Sequence, residues 1–69
     1  MRNFKELRAA IKTGTPLIWN DPDPIEGNDY TISYIEDIPE DIGRRDPILI
    51  QYNDGGSEAQ VFLHEILKK

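Results

Sequence analysis

Residues 47–65 read "PILIQYNDGGSEAQVFLHE", and this stretch decides the fold class. "PILIQY" (47–52) is rich in β-branched and aromatic residues. "EAQVFLHE" (58–65) sets Ala59, Val61 and Leu63 against Glu58, Gln60, Phe62 and His64, the period of two that a half-buried strand requires. Between them "NDGGS" (53–57) supplies Asp-Gly and Gly-Gly, residues that accept the positive φ angles of a tight reversal. The stretch is therefore expected to form an antiparallel hairpin.

Working outward, "YTISYIE" (30–36) alternates Tyr30, Ile32 and Tyr34 against Thr31 and Ser33, and "PLIW" (16–19) is a short apolar run closed by a polar turn cluster. No helical pattern lies between these segments, so nothing is available to cross over between parallel strands, and the sheet is expected to be antiparallel. "DIPEDIGRRD" (37–46) and "NDPDPIEGND" (20–29) are the two longer polar connections.

The first segment has a different period. Phe4, Leu7 and Ile11, with Ala10 beside them, recur at spacings of three and four, while Lys5, Arg8 and Lys12 fall outside that stripe. Asn3 is placed as N-cap, with Glu6 three residues on in a capping-box arrangement; Gly14 suits a left-handed C-terminal position and Pro16 ends the run. A helix of about ten residues is marginal alone and must dock its stripe on the sheet. The expected architecture is α+β and mainly β: one domain over 1–69, with a helix over 1–13 and, over 16–67, a small SH3-like antiparallel barrel of four to five short strands, the other arrangement that fits being a helix-plus-sheet α+β domain.

Composition limits what such a domain does. With 69 residues, 38% hydrophobic and 30% charged, the chain is too apolar for obligate disorder and too short for a second core. It contains no cysteine, so neither disulfides nor thiolate zinc sites supplement the core. Apolar runs reach only three residues, far short of a membrane span or a signal-peptide core, and the expectation is a soluble cytoplasmic protein without membrane contact. The net charge of −5 is uneven: Arg2, Lys5, Arg8 and Lys12 stand near one end and Lys68 and Lys69 at the other, whereas Arg44 and Arg45 are the sole bases between Trp19 and Ile66. An acidic body repels phosphate backbones, which makes nucleic acid an unlikely partner.

The chemistry-bearing motifs mostly fail on spacing. Laid on a calcium-loop template from Asp21, the acidic stretch places Ile25, Glu26 and Ile32 where a ligand, a glycine and a bidentate carboxylate are needed. A solvated turn built on Asx hydrogen bonds is the expected reading, with a weak surface cation site as the lesser one. His64 is the single histidine and lacks a second one four residues on, so the zinc-protease pattern is absent and His64 is expected at a surface or half-buried strand end. Ser33 and Ser57 lack a nucleophile-elbow context, and a small domain offers no deep cleft to raise a carboxylate pKa. "DGGS" lacks the Walker lysine. No catalytic residue, cofactor or metal is expected. Arg44 and Arg45 are expected to relieve the crowding of Glu40, Asp41 and Asp46.

The aromatics remain: Trp19 and Phe62 are the first choices for the core by size, and the tyrosines flanking the acidic loop for an amphipathic surface. "WNDPD" (19–23) and "GGSEAQVFLHEI" (55–66) together resemble a group of short bacterial SH3-like barrel proteins of unknown function that carry W-N-D-P-D and G-S-E-A-x-V motifs. The resemblance covers residues 15–67 and implies the SH3-like fold without an activity. It also implies that the two motifs pair, with Asn20 and Asp21 bonding backbone amides of the turn and Pro22 fixing its direction. The functional expectation is a non-catalytic interaction module whose acidic, aromatic face (Trp19, Asp21, Asp23, Tyr30 and Tyr52) binds a basic protein or peptide. The alternative is a nucleic-acid-associated, tudor-like barrel that uses the basic N-terminal helix.

Overall fold

The helix at the start of the chain is capped at its N-terminus and buries most of its apolar stripe. The computed structural model describes residues 1–69 apart from Pro24 and Glu26. In it α1 runs Phe4–Lys12, inside the expected span, and the Asn3 carboxamide oxygen accepts the Glu6 amide at 2.8 Å. Thr13 is the C-cap and Gly14 follows at φ 70°, a conformation that costs glycine little. Phe4, Leu7 and Ala10 are buried, whereas Ile11, expected in the stripe, is 45% exposed. With Leu7 and Ala10 at the centre of the buried face, Ile11 lies on its shoulder, where it lines a concave surface together with Ile32 and Ile35 of the sheet.

Five strands follow: β1 Leu17–Asn20, β2 Asp29–Ile35, β3 Ile48–Tyr52, β4 Ser57–Val61 and β5 Ile66–Lys68. They form one antiparallel sheet in the order β4-β3-β2-β1-β5, with β4 and β5 as edges, so the sheet is not closed. The fold is thus one helix on a mainly β, five-stranded antiparallel sheet. The radius of gyration of 11.3 Å matches the ~11 Å of a folded chain of this length. Among the described residues no helix is long and apolar enough to cross a membrane.

Three features differ from the pattern in the sequence. The run 58–65 is not one strand: β4 stops at Val61 and Leu63–Glu65 turn as a 3-10 helix into β5, a strand too short to announce itself by alternation. β2 carries an irregularity, since Ile32 pairs with Tyr52 but Tyr34 with Gln51, two residues advancing against one. The inward face therefore passes from Tyr30 and Ile32 to Ile35, and Tyr34 is turned out, 51% exposed. Phe62, a first choice for the core, is also exposed (41%), because the alternation Val61, Leu63 places it on the outer face.

The β3–β4 hairpin forms where expected. Tyr52 pairs with Ser57, and the Gly55 amide donates to the Tyr52 carbonyl at 3.1 Å. Asn53 and Asp54 adopt φ 53° and 54°, the positive pair of a type I′ turn, with Gly55 at 88° behind them. Leu7, Ile50, Ile66 and Val61 are the largest fully buried side chains, one each from α1, β3, β5 and β4. The core is thus the seam where the helix and the two ends of the sheet meet.

Candidate functional site

Register places the aromatics. Trp19 on β1 lies directly across from Tyr30 on β2, and Tyr52 at the end of β3 faces Ile32, one inward position further along β2. Inward positions two apart on neighbouring strands bring large rings into contact. The centroid separations are 5.5 Å for Trp19–Tyr30, 5.3 Å for Trp19–Tyr52 and 4.7 Å for Tyr30–Tyr52, so each ring touches the other two. Trp19 is buried at 8% exposure, while Tyr30 and Tyr52 are half-buried and form the outward side of the cluster.

Trp19 is held by a residue that its sequence neighbours do not reveal. Its indole N–H donates to Oε1 of Glu65 at 3.0 Å, and the same oxygen accepts the Phe62 amide at 3.4 Å. Glu65 is itself buried and sits at the end of the 3-10 helix, one residue before Ile66, which pairs with Trp19 on β5. The indole donor is therefore committed to the fold, and Trp19 serves the face as its floor. His64 lies on the solvent side with its side chain 79% exposed, Nε2 3.9 Å from the second Glu65 oxygen. It belongs to a 3-10 turn, not to a strand end.

The acidic loop leaves β1 immediately after the cluster. Asp21 Oδ1 accepts the Asp23 amide at 3.0 Å, and Asp23 Oδ1 accepts the Ile25 amide at 2.9 Å: two successive Asx turns. The loop is closed by the Asp21 amide on the Asn28 carbonyl (3.2 Å) and the Gly27 amide on the Asp23 carbonyl (2.8 Å). A side chain at Gly27 would collide with the backbone carbonyls of Asp21 and Asp23, so only glycine permits this closure. Asp21 bonds a backbone amide as expected; Asn20 does not. Its carboxamide instead donates to the Asp29 carboxylate at 2.6 Å, tying the two strands at the loop's base, because β1 and β2 pair Asn20 with Asp29. Asp21 is half-buried and Asp23 exposed. Glu26 and Pro24, part of the same acidic stretch, lie outside the described residues.

The five expected partner-binding residues thus fall into two groups. Trp19, Tyr30 and Tyr52 are one cluster, and Asp21 and Asp23 belong to the loop that leaves β1 beside it. Among the described residues no three His, Asp or Glu side chains gather as a metal would need, and no buried side-chain nitrogen or oxygen lacks a partner. Four concave surfaces of about 240 to 380 Å³ lie elsewhere, and none is lined by Trp19, Tyr30 or Tyr52.

Arg44 and Arg45 do not relieve the carboxylates as expected. Arg44 Nη2 donates to the Arg2 carbonyl at 2.9 Å, and among the described residues neither arginine forms an ion pair. The Asp46 carboxylate instead accepts the Gly43 amide at 2.8 Å. Comparison of the chain with family models, with curated proteins and with solved structures found no match to any of them.

Proposed function

We propose that this chain is a small non-catalytic interaction module of SH3-like architecture that binds a basic protein or peptide. Binding uses the face of Tyr30 and Tyr52 over Trp19, with Asp21 and Asp23 beside it. The strand order β4-β3-β2-β1-β5 and the 3-10 helix between the last two strands favour the SH3-like reading. The observation that carries the functional one is the mutual contact of three aromatic rings, two of them half-buried, next to a loop whose acids are held in place by their own backbone. Tyrosines offer apolar area with little rotamer entropy to lose, and fixed carboxylates steer a cationic partner.

The test compares proteins captured from a lysate by the wild type, by Asp21→Lys/Asp23→Lys and by Tyr30→Ala. Specific partners are those retained by the wild type and lost by both variants. Equal recovery by all three baits, with each variant folded by circular dichroism, removes the reading.

One observation favours the alternative of nucleic-acid contact through the helix. Lys5, Arg8 and Lys12 are all exposed along one side of α1, although Arg8 Nη2 is engaged by the Pro39 carbonyl at 2.8 Å. Electrostatic contacts of this kind are strongest at low salt, so absence of RNA or DNA binding at about 50 mM salt eliminates it.

A further inference from the structure

A second surface carries the opposite charge. β3 begins at Ile48, which pairs with Val61 at the end of β4, so the residues just before β3 and just after β4 meet at the end of this ladder remote from Tyr52. There Arg44, Arg45, Phe62 and His64 line a cleft of about 330 Å³. Arg2, Arg44, Arg45, Leu63 and His64 line an adjoining one of about 380 Å³. Three of the chain's eight cationic side chains converge here, and among the described residues no carboxylate pairs with any of them. In a chain of net charge −5 whose acids outnumber its bases, three unneutralised arginines in one place are not a by-product of composition. Phe62, too exposed to serve the core, lies beside His64 with the rings near parallel, 13° apart in plane and 6.2 Å between centroids.

We propose that this cleft binds a single nucleoside phosphate. Guanidinium groups present planar paired donors that match phosphate oxygens, and an exposed, flat aromatic pair offers a surface on which a base stacks. The size of the cleft is that of a small-ligand site. The acidity of the rest of the molecule disfavours a long polyanion and tolerates one phosphate group, which is why the occupant is a mononucleotide and not a nucleic-acid strand. This site is independent of the aromatic face and of its partner.

The test is an amide chemical-shift titration of the intact chain at about 50 mM salt with AMP, adenosine, inorganic phosphate, a single-stranded oligonucleotide and hexaglutamate as separate probes. AMP is expected to move the amides of Arg44, Arg45, Phe62 and His64 and to bind at least about tenfold more tightly than adenosine or phosphate alone, since both halves are recognised. Arg45→Glu and Phe62→Ala, both at exposed positions, are each expected to weaken AMP by about tenfold while leaving the remaining spectrum in place. Three results overturn the proposal: no shift at these four residues, equal affinity for AMP and phosphate, or tighter binding of the oligonucleotide or of hexaglutamate than of AMP.

Discussion

One carboxylate oxygen, Oε1 of Glu65, accepts from two donors: the buried Trp19 indole N–H and the part-buried Phe62 amide. A buried donor left without a partner costs about 1–3 kcal/mol. Glu65→Ala is therefore expected to destabilise the chain by roughly 2–4 kcal/mol, a large share of the roughly 3–10 kcal/mol available to a domain of this size. Glu65→Gln keeps an oxygen in place and should lose roughly half as much or less. Urea midpoints of the three proteins check this; equal stability of Glu65→Ala and wild type would mean that the two bonds are not made in solution. At this scale sequence reading succeeded for Trp19 and failed for Glu65 and Phe62. Trp19 has a size that a small core must use. Glu65 looks like one more acid after His64, and nothing in spacing links it to an indole 46 residues away. Phe62 was weighed by volume, whereas its place between Val61 and Leu63 in the alternation already assigned it to the outer face.

Elements were more legible than residues, because local signals create them. The Asn3 cap and the Gly14 stop place α1, Phe4–Lys12, within the expected 1–13, and of the expected stripe Phe4, Leu7 and Ala10 are buried while Ile11 is not. The hairpin announced itself through "NDGG", yet the two positions of positive φ that form the turn are Asn53 and Asp54, with the glycine following. Those two side chains tolerate the left-handed region; a β-branched one does not. Asp54→Val is accordingly expected to cost about 1–2 kcal/mol and Asp54→Gly almost nothing, as read by thermal melts. A Val variant as stable as wild type would show that the turn adopts another conformation. β5 and the irregularity in β2 were not legible. A three-residue strand has too few positions to display a period, and the slip between Ile32 and Tyr34 follows from how β2 meets β3, which no segment reports by itself.

For the whole molecule, charge is the property that composition states and structure explains. Thirteen acids face eight bases, and among the described residues no lysine or arginine forms an ion pair with a carboxylate. Asp21, Asp23 and Asp46 accept backbone amides in turns, which neutralises none of their charge, so the excess of acids over bases leaves net repulsion. Salt screens exposed charges beyond about 10 Å at 0.1 M. Raising sodium chloride from about 10 to about 500 mM is therefore expected to increase the urea midpoint, most steeply in the lower part of that range. A decrease would mean that attractive pairs dominate. The candidate face was legible as a set of residues but not as a geometry: Trp19, Tyr30 and Tyr52 come from three strands, and their contact depends on register. The cationic cleft was hidden for the same reason, since Arg2, Arg44 and Phe62 are far apart along the chain.

The position of β1 between β2 and β5 also has a consequence in time. Pairing β1 with β5 through Trp19 and Ile66 closes a loop over residues 20–65, an entropic cost paid before Glu65 can reach Trp19, whereas the β3–β4 hairpin closes across four residues. The hairpin is thus placed to organise early and the β1–β5 seam late. Substitutions in the turn at Asp54 should then slow folding, and substitutions at Glu65 should leave the folding rate nearly unchanged and accelerate unfolding. Chevron plots of the two variants distinguish this order from its reverse. If it holds, the tryptophan at the centre of the aromatic cluster is the last large side chain to be locked, and a chain on the ribosome assembles that cluster only when synthesis has passed β5.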